Sequence, residues 1–242
     1  MRVALIADIH GNLPALDAVL DEIGAHAPNK IVCLGDVASM GPFPAETLER
    51  VQALGGPVIM GNGDDAMLTP PQASESDDTA RRFGDMDRWS AEALSDVNRE
   101  FIRSFHKRWT LELPNDVTLL CVHGSPRSYD DVIAVTTPDD DVDEMLVGES
   151  PAILAGGHWH FQMLRCHKGT TLFNPGSVGL PYDVDSQGQV FIPSRAEYGM
   201  ITAEHGRLAF AHRRIDYDIE PVLTAMRDRG FPHAAWWAAN WR

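Results

Sequence analysis

Val3-Ala4-Leu5-Ile6-Ala7-Asp8-Ile9-His10-Gly11-Asn12-Leu13-Pro14 stands near the start of the chain. A short apolar run meets a carboxylate and an imidazole two residues apart, then a helix-start signal. The run has the length of a buried strand. Asn12 can cap a helix in which Leu13, Leu16, Val19, Leu20 and Ile23 share one face, with Pro14 in its first turn and Pro28 beyond its end. The pattern then repeats. Lys30–Leu34 reads as a second strand, Pro44–Leu54 as a second helix and Pro57–Met60 as a third strand. Such alternation predicts an α/β fold with a largely parallel sheet, whose site lies outside the carboxyl ends of the strands.

Polar groups of one kind stand at those strand ends. Asp8-Ile9-His10 follows Val3–Ala7, Gly35-Asp36 follows Lys30–Leu34, and Gly61-Asn62-Gly63-Asp64 follows Pro57–Met60. Further on, His123-Gly124 follows the strand-like Val117–Val122, and Gly157-His158-Trp159-His160 follows Ala152–Ala155. Together they form a ligand set for two adjacent metal ions. Oxygen and imidazole donors suit borderline first-row metals such as Mn, Fe or Zn. His10 and His160 each stand one residue beyond another polar group in what reads as extended chain, so neighbouring side chains diverge and His158 and His160 can serve different metals. Glycines adjoin the ligands, which lets backbone pass close to a metal. Outside the motifs, His26, His106, His167, His205, His212 and His233 read as surface or satisfied core residues.

From Asp64 to Leu113 the alternation breaks. Thr69–Asp78 reads as loop, and Asp87–Lys107 as one amphipathic helix with Trp89, Leu94, Val97, Phe101 and Phe105 on a stripe. Such an insertion serves either as a lid or as cover for a sheet face. After Phe161, short apolar segments near Gln162–Cys166, Thr170–Phe173, Gly199–Thr202 and Leu208–Ala211 suggest antiparallel strands. The end of the chain crowds Phe231, Trp236, Trp237 and Trp241 into residues 231–242, an anchor docked on the domain or a surface for homo-oligomer formation.

The order and wording of the motifs resemble the calcineurin-like metallophosphoesterase superfamily, in its small bacterial and archaeal phosphodiesterase branch. The likeness runs from Arg2 to about Tyr198 and includes Asp-Ile-His-Gly-Asn at 8–12, His-Gly-Ser-Pro at 123–126 and Asn-Pro-Gly-Ser-Val-Gly at 174–179. It implies a single domain, residues 1–242, built as a four-layer α/β/β/α sandwich of two mixed sheets, with residues 64–113 as a helical insertion or cap. It also implies one metal on Asp8, His10, Asp36 and His160 and a second on Asn62, His123, His158 and the bridging Asp36, manganese being the favoured ion. Between ions roughly 3.5–4 Å apart, a bridging hydroxide would attack a phosphodiester of a small nucleotide-like substrate.

Arg127 and Asn12 are candidate substrate contacts, although a surface arginine and a helix cap explain them equally well. Asp64 reads as a turn or capping residue. Gly63 departs from the family pattern. In much of the superfamily a His follows the Asn ligand and is held to protonate the leaving oxygen. Losing such an acid costs about 10²–10⁴-fold on an alkoxide leaving group, so aryl diesters and phosphoanhydrides suffer least. Alternative activities are a phosphatase or nucleotidase, or a dinucleoside polyphosphate hydrolase. A catalytically weak scaffold, as in the retromer subunit of this fold, requires broken ligands, and here all seven positions are intact.

Composition sets the outer bounds. The 242 residues carry 35 acidic and 20 basic groups, a formal charge of −15, which disfavours long nucleic acids but not a nucleotide. No run reaches membrane-spanning length, and Val3–Ala7 is too short for a signal-peptide core. Three cysteines cannot all pair. Cys33, Cys121 and Cys166 lie in strand-like stretches where a buried thiol is expected, which points to the cytoplasm.

Overall fold

Along the first strand, Val3, Leu5 and Ala7 join one apolar cluster while Ala4 and Ile6 join another, and all five are fully buried. Alternate residues of a strand face opposite ways. A strand buried on both faces must lie between two layers, and that is its place here. A computed structural model describes residues 1–69 and 77–242.

The chain runs β1 (Arg2–Ile6), α1 (Leu13–His26), β2 (Lys30–Cys33) and α2 (Pro44–Gln52). Three helices follow, α3 (Asn62–Leu68), α4 (Asp78–Glu92) and α5 (Asp96–Arg103). Next come β3 (Trp109–Leu113), β4 (Val117–Cys121), α6 (Asp139–Leu146), β5 (Ile153–Ala155), β6 (Met163–His167) and β7 (Thr170–Asn174). The chain ends with β8 (Asp183–Val184), β9 (Val190–Phe191), β10 (Arg195–Glu204), β11 (Arg207–Asp216), α7 (Glu220–Asp228) and α8 (Ala234–Ala238).

One sheet has the order β11-β10-β1-β2 and the other β3-β4-β5-β7-β6, while β8 and β9 form a small hairpin. Both large sheets are mixed, since β1 pairs parallel with β2 and antiparallel with β10, and β4-β5-β7 is a parallel centre with antiparallel edges. Val3, Leu5, Val32 and Leu34 of the first sheet meet Leu119, Cys121, Ile153 and Phe173 of the second in one cluster. The outer face of the first sheet packs under Leu16, Val19 and Ile23 of α1 and Leu48 and Val51 of α2. On the far side, Leu120, Leu154 and Leu172 pack under Val142 and Leu146 of α6. The result is four layers, α/β/β/α. A central leucine such as Leu5, fully buried, contributes about 2–5 kcal/mol against alanine.

Several sequence expectations need correction. Pro57–Met60 is not a full strand: it touches the edge of β2 through a single bridge from Val58 to Cys33, and Ile59 bridges on to His106. The helix expected over 87–107 is two helices. Ser95 and Asn98 cap each other's backbone N–H groups and restart the chain after α4, and Val97 on the expected apolar stripe is 70% exposed. Most of the expected 69–78 loop lies outside the described residues, and Asp78 already begins α4. Cys166 is exposed, because the alternation of edge strand β6 turns it outward; Cys33 and Cys121 are buried and free.

The carboxy-terminal aromatics are spent inside the chain. Phe231 and Trp237, each 4% exposed, share a cluster with Met86 of α4 and Val222 and Met226 of α7. Trp89 meets Phe231 edge-on at 5.2 Å, Phe83 meets Trp237 at 5.7 Å, and His233 Nε2 lies 2.9 Å from Asp85 Oδ2. So α4 is held from behind by the last segment of the chain. No helix among the described residues is long and apolar enough to cross a membrane.

Candidate metal centre

The chain leaves β1 through left-handed backbone, with φ of 54° at Asp8 and 49° at His10. Asp36, His158 and His160 share this conformation, at 55°, 65° and 61°. Each such residue costs about 1–2 kcal/mol, and strain of this kind gathers at functional sites. Main-chain bonds hold it in place: Ile9 and His10 N–H both donate to the Asp36 carbonyl (2.9 and 3.0 Å), and Gly157 N–H donates to the His123 carbonyl (2.8 Å). The extended chain expected around His10 and His160 is therefore a tight curl, and this curl is what separates neighbouring side chains. Gly35 is required here, since at its φ of 102° a Cβ would stand 2.8 Å from Gly61 N and 2.9 Å from His123 Nδ1.

All seven ligand candidates meet at this edge. The donor atoms of Asp8, His10 and His160 lie within 4.8 Å of one another, and so do those of Asp36, His123 and His158. Asn62, the first residue of α3, places Oδ1 3.2 Å from His123 Nε2. Asp36 Oδ2 sits between the groups, 3.7 Å from His10 Nε2 and 3.6 Å from His123 Nε2. Its other oxygen accepts the Gly63 N–H at 2.8 Å. One carboxylate oxygen is thereby aimed at both groups.

The histidine orientations follow from their second nitrogens. His123 Nδ1–H donates to the Leu34 carbonyl and His160 Nδ1–H to the Leu180 carbonyl, both at 2.7 Å. A carbonyl only accepts, so each Nδ1 carries a proton and each Nε2 faces the cluster, where a cation would take the place of its second proton. His10 Nε2 and His160 Nε2 stand 3.2 Å apart, which calls for a shared proton or a cation between them. Such a donor set fits metal ions.

Charge in the cluster alternates. Burial opposes ionisation of Asp8, but His160 and then His123 hold its carboxyl below the usual carboxylate range. Against the same burial, His123 and His10 hold Asp36 well below that range. The Asp36 carboxylate in turn lifts His123 to about 10 despite burial, and Asp8 raises His160. Burial depresses His10 to about 4 and, with the charge of His123, lowers His158. Both carboxylates are ionised, the form that binds a cation.

The two candidate substrate contacts fare differently from the ligands. Asn12 is buried, its Oδ1 accepting from Ala15 N–H and its Nδ2 donating to Gly179 O and Tyr217 Oη, so its polar atoms are spent on the helix cap and the loops. Arg127 forms a two-bonded fork with Asp131 at 3.0 and 2.9 Å, on a loop beside His123. Asp64 is a capping residue that also ties two ligand loops together: it accepts from Asp36 N and Val37 N, both at 2.8 Å, and from Gly61 N at 3.1 Å. Burial, and then the Asp36 charge, push its carboxyl up to about 7 against those donors.

Three neighbours of the centre carry no signal in the sequence. Ser39 Oγ lies 3.1 Å from His10 Nδ1, and Tyr182 stacks on the His160 ring at 4.8 Å. Asp87, on α4, has its carboxyl pushed up to about 7 by burial and then by the charge of Asp36. Gly63 is locked in place. A Cβ there would run into Ser39 Oγ and stand 3.0 Å from Asp36 Oδ1, so no side chain enters without displacing Ser39.

Comparison with known proteins gives the family. Residues 1–196 match the calcineurin-like phosphoesterase superfamily domain. An uncharacterised protein of Methanocaldococcus jannaschii is 26% identical over 229 residues, covering 90% of this chain and 88% of its own. The phosphodiesterase YfcE of Escherichia coli is 26% identical over 191 residues, covering 75% of this chain and 81% of its own. A crystal structure of a metallophosphoesterase from Sphaerobacter thermophilus superposes with a TM-score of 0.74 at 27% identity, covering 99% of both chains.

Proposed function

The chain belongs to the calcineurin-like phosphoesterase superfamily, and from that membership we propose a two-metal phosphodiesterase acting on a small, nucleotide-like phosphate compound. Support comes above all from Asp36 Oδ2, a single ionised oxygen within 3.7 Å of imidazoles from both donor groups. Asp8, His10, Asp36 and His160 would hold one divalent cation, and Asp36, Asn62, His123 and His158 the other. Cations so placed would acidify a water and neutralise charge on the phosphate. The Leu34 and Leu180 carbonyls hold the Nε2 atoms of His123 and His160 turned inward. Gly63 N–H fixes the rotation of Asp36, so its free oxygen stays between the groups. The surplus of acidic groups favours a small substrate over a polyanion. The unpaired, buried thiols of Cys33 and Cys121 suit a cytoplasmic location.

A panel of phosphomonoesters, phosphodiesters and pyrophosphate compounds against manganese-loaded protein tests this reading. Aryl phosphodiesters should be hydrolysed, and alkyl monoesters turned over far more slowly. No hydrolysis of any diester, or faster turnover of glycerol phosphate than of aryl diesters, would overturn it.

A further inference from the structure

Gly63 leaves the phosphodiester reading without a proton donor for the leaving oxygen, and its slot is closed by Ser39. Another helix, α4, packs against α3, the helix that carries Gly63 and begins at Asn62. Met86 of α4 is fully buried in a cluster with Met40, four residues after Asp36, and with Leu180, whose carbonyl orients His160. The residue after Met86 is Asp87. Its Oδ1 is buried and has no hydrogen-bond partner among the described residues, and Ser90 Oγ, three residues on and so on the same helix face, is buried and equally unpaired.

Buried polar atoms are nearly always bonded, so two unpaired ones on one face call for a ligand or a trapped water. No cation on the helix answers Asp87. Arg82 pairs with Asp78 and lies over Trp236, while Arg88 pairs with Asp85, which His233 also engages. On α3, Asp64 is spent on backbone donors and Asp65 accepts from Tyr129 Oη. Among the described residues, the charge that adds to burial in raising the Asp87 carboxyl is that of Asp36.

We propose that Asp87, carried by α4 to the rim of the metal centre, protonates the leaving oxygen of the substrate, in the role that Gly63 cannot fill. The proposal rests on the phosphodiesterase reading above. The bond from phosphorus to the leaving oxygen breaks with its electron pair passing to that oxygen. The Asp87 carboxyl proton moves to it, releasing an alcohol and leaving a carboxylate. Water supplies the oxygen of the new phosphorus–oxygen bond and yields one proton to solvent, and Asp87 regains one from solvent. Burial, and after it the Asp36 charge, push the Asp87 carboxyl up to about 7, which suits a donor working at neutral pH. The larger cause, burial, persists when cations offset Asp36.

The test is a series of phosphodiesters that share one retained group and differ in leaving-group pKa, run on manganese-loaded wild type, Asp87→Asn and Asp87→Glu. For Asp87→Asn the loss in kcat/KM should grow with leaving-group pKa, from under about threefold for a nitrophenyl group to about 10²–10⁴-fold for an alkyl group. Asp87→Glu should recover part of the alkyl loss. Equal loss on every leaving group, or no loss on the alkyl esters, would overturn the assignment while leaving the phosphodiesterase reading in place. A wild type that hydrolyses no diester would overturn both. Asparagine matches aspartate in shape, and a melting curve with manganese content alongside separates misfolding from lost chemistry.

Discussion

Gly63→Ala should destabilise the protein, and Ser39→Ala should partly undo the damage. Gly63 is the second residue of α3, where alanine on its own would gain about 1 kcal/mol of helix propensity. The new Cβ, however, runs into Ser39 Oγ and stands 3.0 Å from Asp36 Oδ1. Relief requires Ser39 to rotate, which breaks its 3.1 Å bond to His10 Nδ1, or requires Asp36 to shift, which loosens the 2.8 Å bond from Gly63 N–H. Overpacking of this kind costs about 1–3 kcal/mol, and a lost buried hydrogen bond costs about 1 kcal/mol. Set against the propensity gain, the single variant should fall by about 1–3 kcal/mol, a Tm decrease of about 2–12 °C. Ser39→Ala alone should cost about 1 kcal/mol through His10. In the double variant the clash with Ser39 is gone and the His10 loss remains, so the two changes should couple favourably by about 1–3 kcal/mol. Urea unfolding of the four proteins after chelator treatment measures the cycle. Strict additivity, or a Gly63→Ala protein as stable as wild type, would show that the slot at Gly63 is open and that His could have been accommodated there.

Two other outcomes follow from separate parts of the structure. The Asp87 carboxyl is raised from an ordinary 3.8 to about 7 in the fold, so its contribution to stability is lost as pH rises from the unfolded value through the folded one. Asp87→Asn should therefore match wild type near pH 4 in urea unfolding of chelator-treated protein and exceed it by up to about 4 kcal/mol at pH 8; a constant difference across that range would refute the buried-carboxyl argument. Truncation after Gly230 removes Phe231 and Trp237, both buried against α4 and α7. At about 3 kcal/mol or more per aromatic, Tm should drop by about 12 °C or more with no change in the starting mass by light scattering. An unchanged Tm would mark the segment as a loose tail, and a halved mass as an interface.

Local periodicity carried the first half of the fold. Val3–Ala7, the Asn12 cap and the apolar face through Ile23 each depend on residues close in sequence, and β1 and α1 lie where those signals place them. The ligand candidates were legible because each follows a short apolar run, and all but the run before Asn62 are strands whose ends converge. Less legible was anything fixed by contacts between distant segments. The break between α4 and α5 had a local sign in Ser95 and Asn98, but the stripe of Leu94, Val97 and Phe101 ran across it. Ser39 reaches His10 only because Ile9 and His10 N–H both bond to the Asp36 carbonyl. Asp87 rides on α4, which packs against the distant aromatics of the carboxyl end. Left-handed backbone at five ligand candidates had no sequence signature beyond the tolerance of Asp and His for it.

The most direct test of the two-metal account is the metal content of wild type and Asp36→Ala after manganese loading and desalting, with aryl phosphodiester turnover measured on the same samples. Wild type should retain about two ions per chain and lose all turnover when a chelator removes them. Asp36→Ala should retain fewer than one ion, with turnover at background, while its melting curve stays cooperative. An Asp36→Ala protein that binds two ions and hydrolyses the diester at near-native rate, or a wild type that stays active without metal, would contradict the account.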